Sequence, residues 1–225
     1  MRRLALIAVA VVALVAAGSG TATRPGFSAH VDNVWFPLRP GTVYRYRGVK
    51  DGKQSRETLT VTRRTAVIDG APCVVIDDRV YVNGYLEERT TDWYSQDAKG
   101  NVWYFGENTA ELDRSGHVTS TSGTWRAGRN GARPGIYMFA QPRVGQAARQ
   151  EFYKGQAEDH FSVVSLHASV RVPWGHSSAA LLTKEWTPLE PGVLDHKFYV
   201  RGVGTVLEQT VKGGDERNEL ISVTR

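Results

Sequence analysis

Hydrophobic and polar residues alternate along most of this chain, and short turn-forming clusters interrupt the alternation. A strand sends successive side chains to opposite faces, so a period of two predicts β-structure with two different faces. In "TVYRYRG", Tyr44 and Tyr46 take one side while Arg45 and Arg47 take the other. "ETLTVTRRTAVI" sets Leu59 and Val61 against threonines in the same way. Asn83-Gly84 joins "CVVIDDRVYV" to "YLEERTTDWYS", and Asn-Gly is a strong hairpin signal because both turn residues must adopt positive φ. "DAKGN", "DRSGH", "VPWGH" and "KGGDE" mark further turns, around strands such as "HFSVVSLHASVRV", "ALLTKEW", "HKFYV", "TVLEQTV" and "NELISV". No amphipathic helix interrupts them. About a dozen strands joined by short turns predict a mainly β fold, a single antiparallel meander that curls or closes into a barrel. A flat open sheet of that size would be unusual.

One segment breaks the rhythm. "RAGRNGARPGIYMFAQPRVG", residues 126–145, has no periodicity and exceeds an ordinary hairpin loop. It reads as a lid over the sheet or a crossover between its halves. Its arginines, Arg126, Arg129 and Arg133, read as a solvated loop, with recognition of an anionic group as the functional alternative.

The first residues carry a different pattern. Arg2 and Arg3 precede the apolar run "LALIAVAVVALVAA" and the small residues of "GSGTA", the order of a cleavable secretory signal. The run is shorter than the roughly 20 residues of a membrane-spanning helix. We therefore expect residues 1–22 to be a signal peptide, residues 23–225 to form one β-rich domain, and the mature protein to be secreted. The 28 basic and 23 acidic residues give a net charge of +5, and losing Arg2 and Arg3 lowers it by two. So mild an excess argues against a nucleic-acid partner. Cys73 is the lone cysteine, set in the apolar run "CVVI", and reads as a buried, inert thiol. With no second cysteine there is no internal disulfide, so the core must carry the stability.

Familiar catalytic signatures fail. "GHSSA" lacks the second glycine of a nucleophile elbow, and neither His-Glu-x-x-His, Cys-x-x-Cys nor a P-loop occurs. "GVGTVLE" starts like a dinucleotide loop but leads into a strand, so its glycines read as a bend. No metal site or cofactor is expected. What remains are acids and a histidine in apolar company. His196 alternates with Phe198 and Val200, and Glu185 shares a face with Leu181 and Thr183. A buried carboxylate is costly unless paired, so some of these acids are expected to meet a partner such as His196, an arginine or a metal. The cluster reads as a hydrogen-bonded group that satisfies itself inside the barrel, with a ligand-binding cluster and then a catalytic pair or metal site as alternatives. In "DWYSQDAKGNVWYFGE", Trp93, Trp103 and Phe105 crowd one hairpin bracketed by Asp92 and Glu107. Rings on both faces imply one side turned toward a ligand-capable interior and the other capped, or a strand packed on both sides. The candidate ligand-binding set is Trp93, Trp103, Phe105, Glu107, Glu185 and His196.

"FPLRPGTVYRYRG", "DWYSQDAKGNVWYFGE", and "EWTPLEPGV" followed by "GVGTVLEQ" together resemble an uncharacterised group of secreted bacterial proteins. The order of strands, long loop, strands and Gly-Val-Gly-x-Val also resembles, more distantly, the curved half-barrels of the LolA/LppX lipid-carrier type. That likeness implies a cavity for acyl chains. The expected function is non-catalytic binding of a lipophilic or amphipathic small molecule at the cell envelope. A hydrolase or metal-dependent enzyme built on the acid and histidine cluster is the alternative from another class, and a structural or protein-interaction module is a third.

Overall fold

The computed structural model describes residues 24–225, and the expected signal peptide lies outside the described residues. These form one antiparallel sheet of sixteen strands that curls into a nearly closed barrel, with no helix among them. In chain order the strands are β1 (Phe27–Ser28), β2 (Val43–Lys50), β3 (Lys53–Ile68), β4 (Ala71–Val82), β5 (Tyr85–Asp97), β6 (Val102–Leu112), β7 (Val118–Ser120) and β8 (Trp125–Arg126). There follow β9 (Arg133–Met138), β10 (Ala147–Arg149), β11 (Glu151–Phe152), β12 (His160–Val172), β13 (Gly175–Trp186), β14 (Leu194–Val200), β15 (Gly204–Lys212) and β16 (Arg217–Thr224).

Tight turns make this meander. Asn83 and Gly84 both have positive φ (50° and 85°), as their hairpin requires, and Asp51-Gly52 and Asp69-Gly70 repeat the device. Consecutive pairing runs from β2 to β6 and from β12 to β16, and β16 pairs with β2, joining the last strand to the first long one. Gly48 makes that junction close: a Cβ there would overlap the Arg217 carbonyl.

The remaining gap is bridged by one bent segment. Its first half, β10, pairs with β12, and its second half, β11, pairs with β9, which pairs with β6. Gln150 sits at the bend, its N–H donating to the Asp159 carbonyl at 2.7 Å. The expected lid is therefore part of the wall. Residues 126–145 contribute the end of β8 and all of β9 to the edge of β6, while the Arg126 guanidinium lies over β5, 5.6 Å from the Trp93 ring centre, and Arg133 lies over β11, 4.7 Å from the Phe152 ring centre.

One end of the barrel is plugged by residues 31–42. Asn33 builds the plug: its Oδ1 accepts the N–H groups of Trp35 and Phe36, and its Nδ2 donates to the carbonyls of Gly100 and Phe139. Trp35, Phe36 and Leu38 are buried as a result. Cys73 is buried as the sequence predicts, and burial pushes its thiol up to about 12.

Candidate functional site

The inward positions of a barrel face one another, so whatever the strands alternate inward shares a single space. Here that space holds a cavity of about 360 Å³, near the lower end of the roughly 300–1,000 Å³ usual for ligand pockets. Phe36, Pro37 and Leu38 of the plug form its floor, and Tyr44, Tyr46, Tyr94 and Tyr137 form much of its apolar wall. Phe36 packs 4.6 Å from Tyr137 and 5.4 Å from Tyr94, centre to centre. At the other end the cavity reaches Lys50, Glu88 and Glu216, beside the β2–β3 and β15–β16 turns. Lys50 and Glu88 each keep 31% side-chain exposure, so the cavity meets solvent there.

The cavity is strongly polar on its other walls. Lys197, on β14, reaches Glu185 at 3.0 Å and Glu208 at 3.2 Å. Glu185 is saturated with partners: Gln150 Nε2 at 3.2 Å, the Thr183 hydroxyl at 3.0 Å and the Tyr199 hydroxyl at 3.3 Å all donate to it. Burial works against the Lys197 charge, but Glu185 and Glu208 outweigh it and hold the ammonium well above its usual range. Lys197 and Glu185, with Glu208 on their more open side, form a self-satisfied buried pair. Its loss would be costly because either partner alone would be an uncompensated buried charge.

A second set of acids has no such cation. Glu57 on β3 and Asp78 on β4 both line the cavity. The Asn218 amide donates to Glu57, while Asp78 Oδ1 is buried without a hydrogen-bond partner. Burial and the neighbouring Glu208 push Glu57 up to about 7, and burial with Glu57 nearby pushes Asp78 well above its usual range. Asp92, also on the wall, accepts the Tyr104 hydroxyl at 2.6 Å, and burial raises it to about 7. Among the described residues, no group of three or more His, Cys, Asp or Glu is arranged to hold a metal ion.

The structure divides the sequence-selected residues between two faces. Glu107 pairs directly across from Asp92, and burial, with Asp92 and Glu151 near, raises it to about 9. Glu185 is inside, as described. Trp93, Trp103 and Phe105 lie on the outer layer instead. Trp93 sits under Arg126, and the Trp103 indole donates to Asp97 at 2.9 Å. Phe105, the extra residue of a β-bulge opposite Trp93 and Tyr94, meets Phe27 edge-on at 5.3 Å. Both faces of this hairpin are thus covered, the outer one by β1. The rings that face inward are the intervening Tyr94 and Tyr104, stacked at 4.7 Å.

His196 is likewise on the face opposite its polar neighbours. The cavity-facing residues of β14 are Asp195 and Lys197, and His196 pairs across with the exposed Lys184. The partner of Glu185 is Lys197. Taking the apolar side of "HKFYV" as the inside reverses the strand, because this barrel keeps polar groups within. The readable signal was Tyr199, which alternates with Lys197 and is fully buried.

No protein-family model matches the chain, and no curated protein matches it. Among solved structures, it is similar to a predicted exported protein with a YmcC-like fold from Bacteroides fragilis NCTC 9343. The two are 16% identical over 86% of this chain and 100% of that one, with a TM-score of 0.49. It is also similar to a predicted lipoprotein from Parabacteroides distasonis ATCC 8503, at 12% identity over 85% of this chain and 99% of that one, with a TM-score of 0.48. Likenesses at this level assign neither a family nor a ligand.

Proposed function

We propose that this is an exported protein that binds an amphipathic small molecule inside its barrel, without chemistry. The observation that carries the reading is the cavity, with tyrosine and phenylalanine walls at its plugged end and ionisable groups toward its open end. Such a polarity gradient suits a ligand with an apolar body and a polar head. Export rests on the basic, apolar and small-residue order of residues 2–22. The enzyme alternative loses its proposed pair, because Glu185 is engaged by four groups and His196 is on the other face.

The test is titration with N-phenyl-1-naphthylamine, an uncharged fluorophore that brightens in apolar surroundings. Saturable binding is expected for the native protein. Leu59→Trp, which places an indole in the cavity from β3, should weaken it about tenfold or more, a loss of about 1.4 kcal/mol. No saturable binding by the native protein, or equal binding by a folded Leu59→Trp variant, would overturn the proposal.

A further inference from the structure

Charge inside the cavity is unbalanced. Its three lining cations are already engaged: Lys50 with Glu87 and Glu88, Lys197 with Glu185 and Glu208, and Arg217 with Glu219. Glu57, Asp78 and Asp92 line the same space, and among the described residues no ion pair reaches any of the three. Asp92 receives the Tyr104 hydroxyl and Glu57 the Asn218 amide, and Glu57 and Asp78 lean on each other, with Asp78 Oδ1 buried and receiving no N–H or hydroxyl donor. An unpaired buried acceptor costs free energy that a ligand donor would recover.

Tyrosines stand beside these acids, with Tyr46 of β2 directly across from Glu57 and Tyr94 two residues from Asp92 on β5. Tyr46, Tyr94 and Tyr137 line the cavity with them, and the face of an aromatic ring attracts cations. The wall already holds one such arrangement, with Lys197 Nζ 5.9 Å from the Tyr137 ring centre. Carboxyl groups with tyrosine rings beside them suit a bulky organic cation.

Resting on the cavity-binding reading above, we infer that the ligand's polar head is a cation, an amine or a quaternary ammonium, received by Asp78 and Glu57 among the cavity tyrosines. The raised Glu57 and Asp78 fit this assignment, since carboxyl groups short of a countercharge hold their protons until a cation displaces them. The apolar part of the ligand lies toward Phe36 and Leu38 at the plugged end.

The experiment compares three probes of matched chain length by titration calorimetry at pH 8: octylamine, 1-octanol and octanoate. Octylamine should bind about tenfold or more tighter than 1-octanol, which corresponds to about 1.4 kcal/mol, and octanoate should bind weakest. Asp78→Asn and Glu57→Gln are close in shape to the native residues. Each should bring the ratio of octylamine to 1-octanol affinity, measured on the same variant, close to one, with folding checked by a melting curve. Equal binding of amine and alcohol, preference for octanoate, or an amine preference surviving both substitutions would overturn the cation assignment and leave cavity binding standing. Failure of all three probes would overturn both.

Discussion

At the scale of single residues, two neighbours on one strand have opposite fates. Lys197 is held inside by two carboxylates, while His196 pairs across with exposed Lys184 on the far face of β14. Lys197→Met would leave the buried Glu185 without its cation, and losing one member of a buried pair costs about 3–5 kcal/mol. His196→Gln should change stability by less than about 0.5 kcal/mol, as for other substitutions away from such networks. Urea unfolding of both variants checks the contrast, and a larger loss for His196→Gln would mean the face of β14 is misassigned. This strand also marks the limit of sequence reading at the site. Alternation in "DHKFYVRG" gives the two faces correctly, but not which face is inside. The usual preference for apolar interiors points to Phe198 and Val200, whereas a polar barrel buries Lys197 and Tyr199. Cys73 and Tyr44 read correctly because their apolar neighbourhoods or partners leave no such ambiguity.

Among the elements, the β5–β6 hairpin shows how one ribbon serves two compartments. Its turn, its strands and its crowding by rings are all legible, and β1 covers the outer rings as a capped face requires. Phe27 caps Trp103 and Phe105, while residues 126–145 cover Trp93 through Arg126 and otherwise lie in the wall, where Gly135 lets β9 run flush and a Cβ would overlap the Arg149 carbonyl. Inside, the hairpin sets Asp92 opposite Glu107. Burial raises these groups to about 7 and about 9, far above unfolded carboxyl groups near 4, so the folded state binds more protons than the unfolded state in that interval. Their favourable contribution is complete below about pH 4 and is lost as pH rises through the folded values. The melting temperature should therefore fall between pH 5 and pH 9, and Glu107→Gln should lessen that fall. A melting temperature that rises across this interval, or a Glu107→Gln profile as steep as the native one, would count against the buried hairpin acids.

For the whole molecule, closure turns a meander into a container. The alternating strands predict curling, yet the sheet goes beyond a half-barrel. The pairing of β16 with β2 joins one flank, and the bent residues 147–152 bridge the other. Neither junction has a sequence signature, since pairing between distant strands depends on register rather than on local turns. The plug at residues 31–42 was equally silent, because its buried rings precede the first long strand without periodicity. Together these features leave an interior open at one end, which we propose a small amphipathic molecule enters. Methyl-resolved NMR during titration with 1-octanol tests this most directly. Leu38 and Leu59 line the cavity, whereas Leu189 and Ile221 are 41% and 38% exposed on the outside. Saturable shifts are expected at Leu38 and Leu59 with Leu189 and Ile221 unmoved; shifts confined to Leu189 and Ile221, or none at any of the four, would mean that no small molecule enters the barrel.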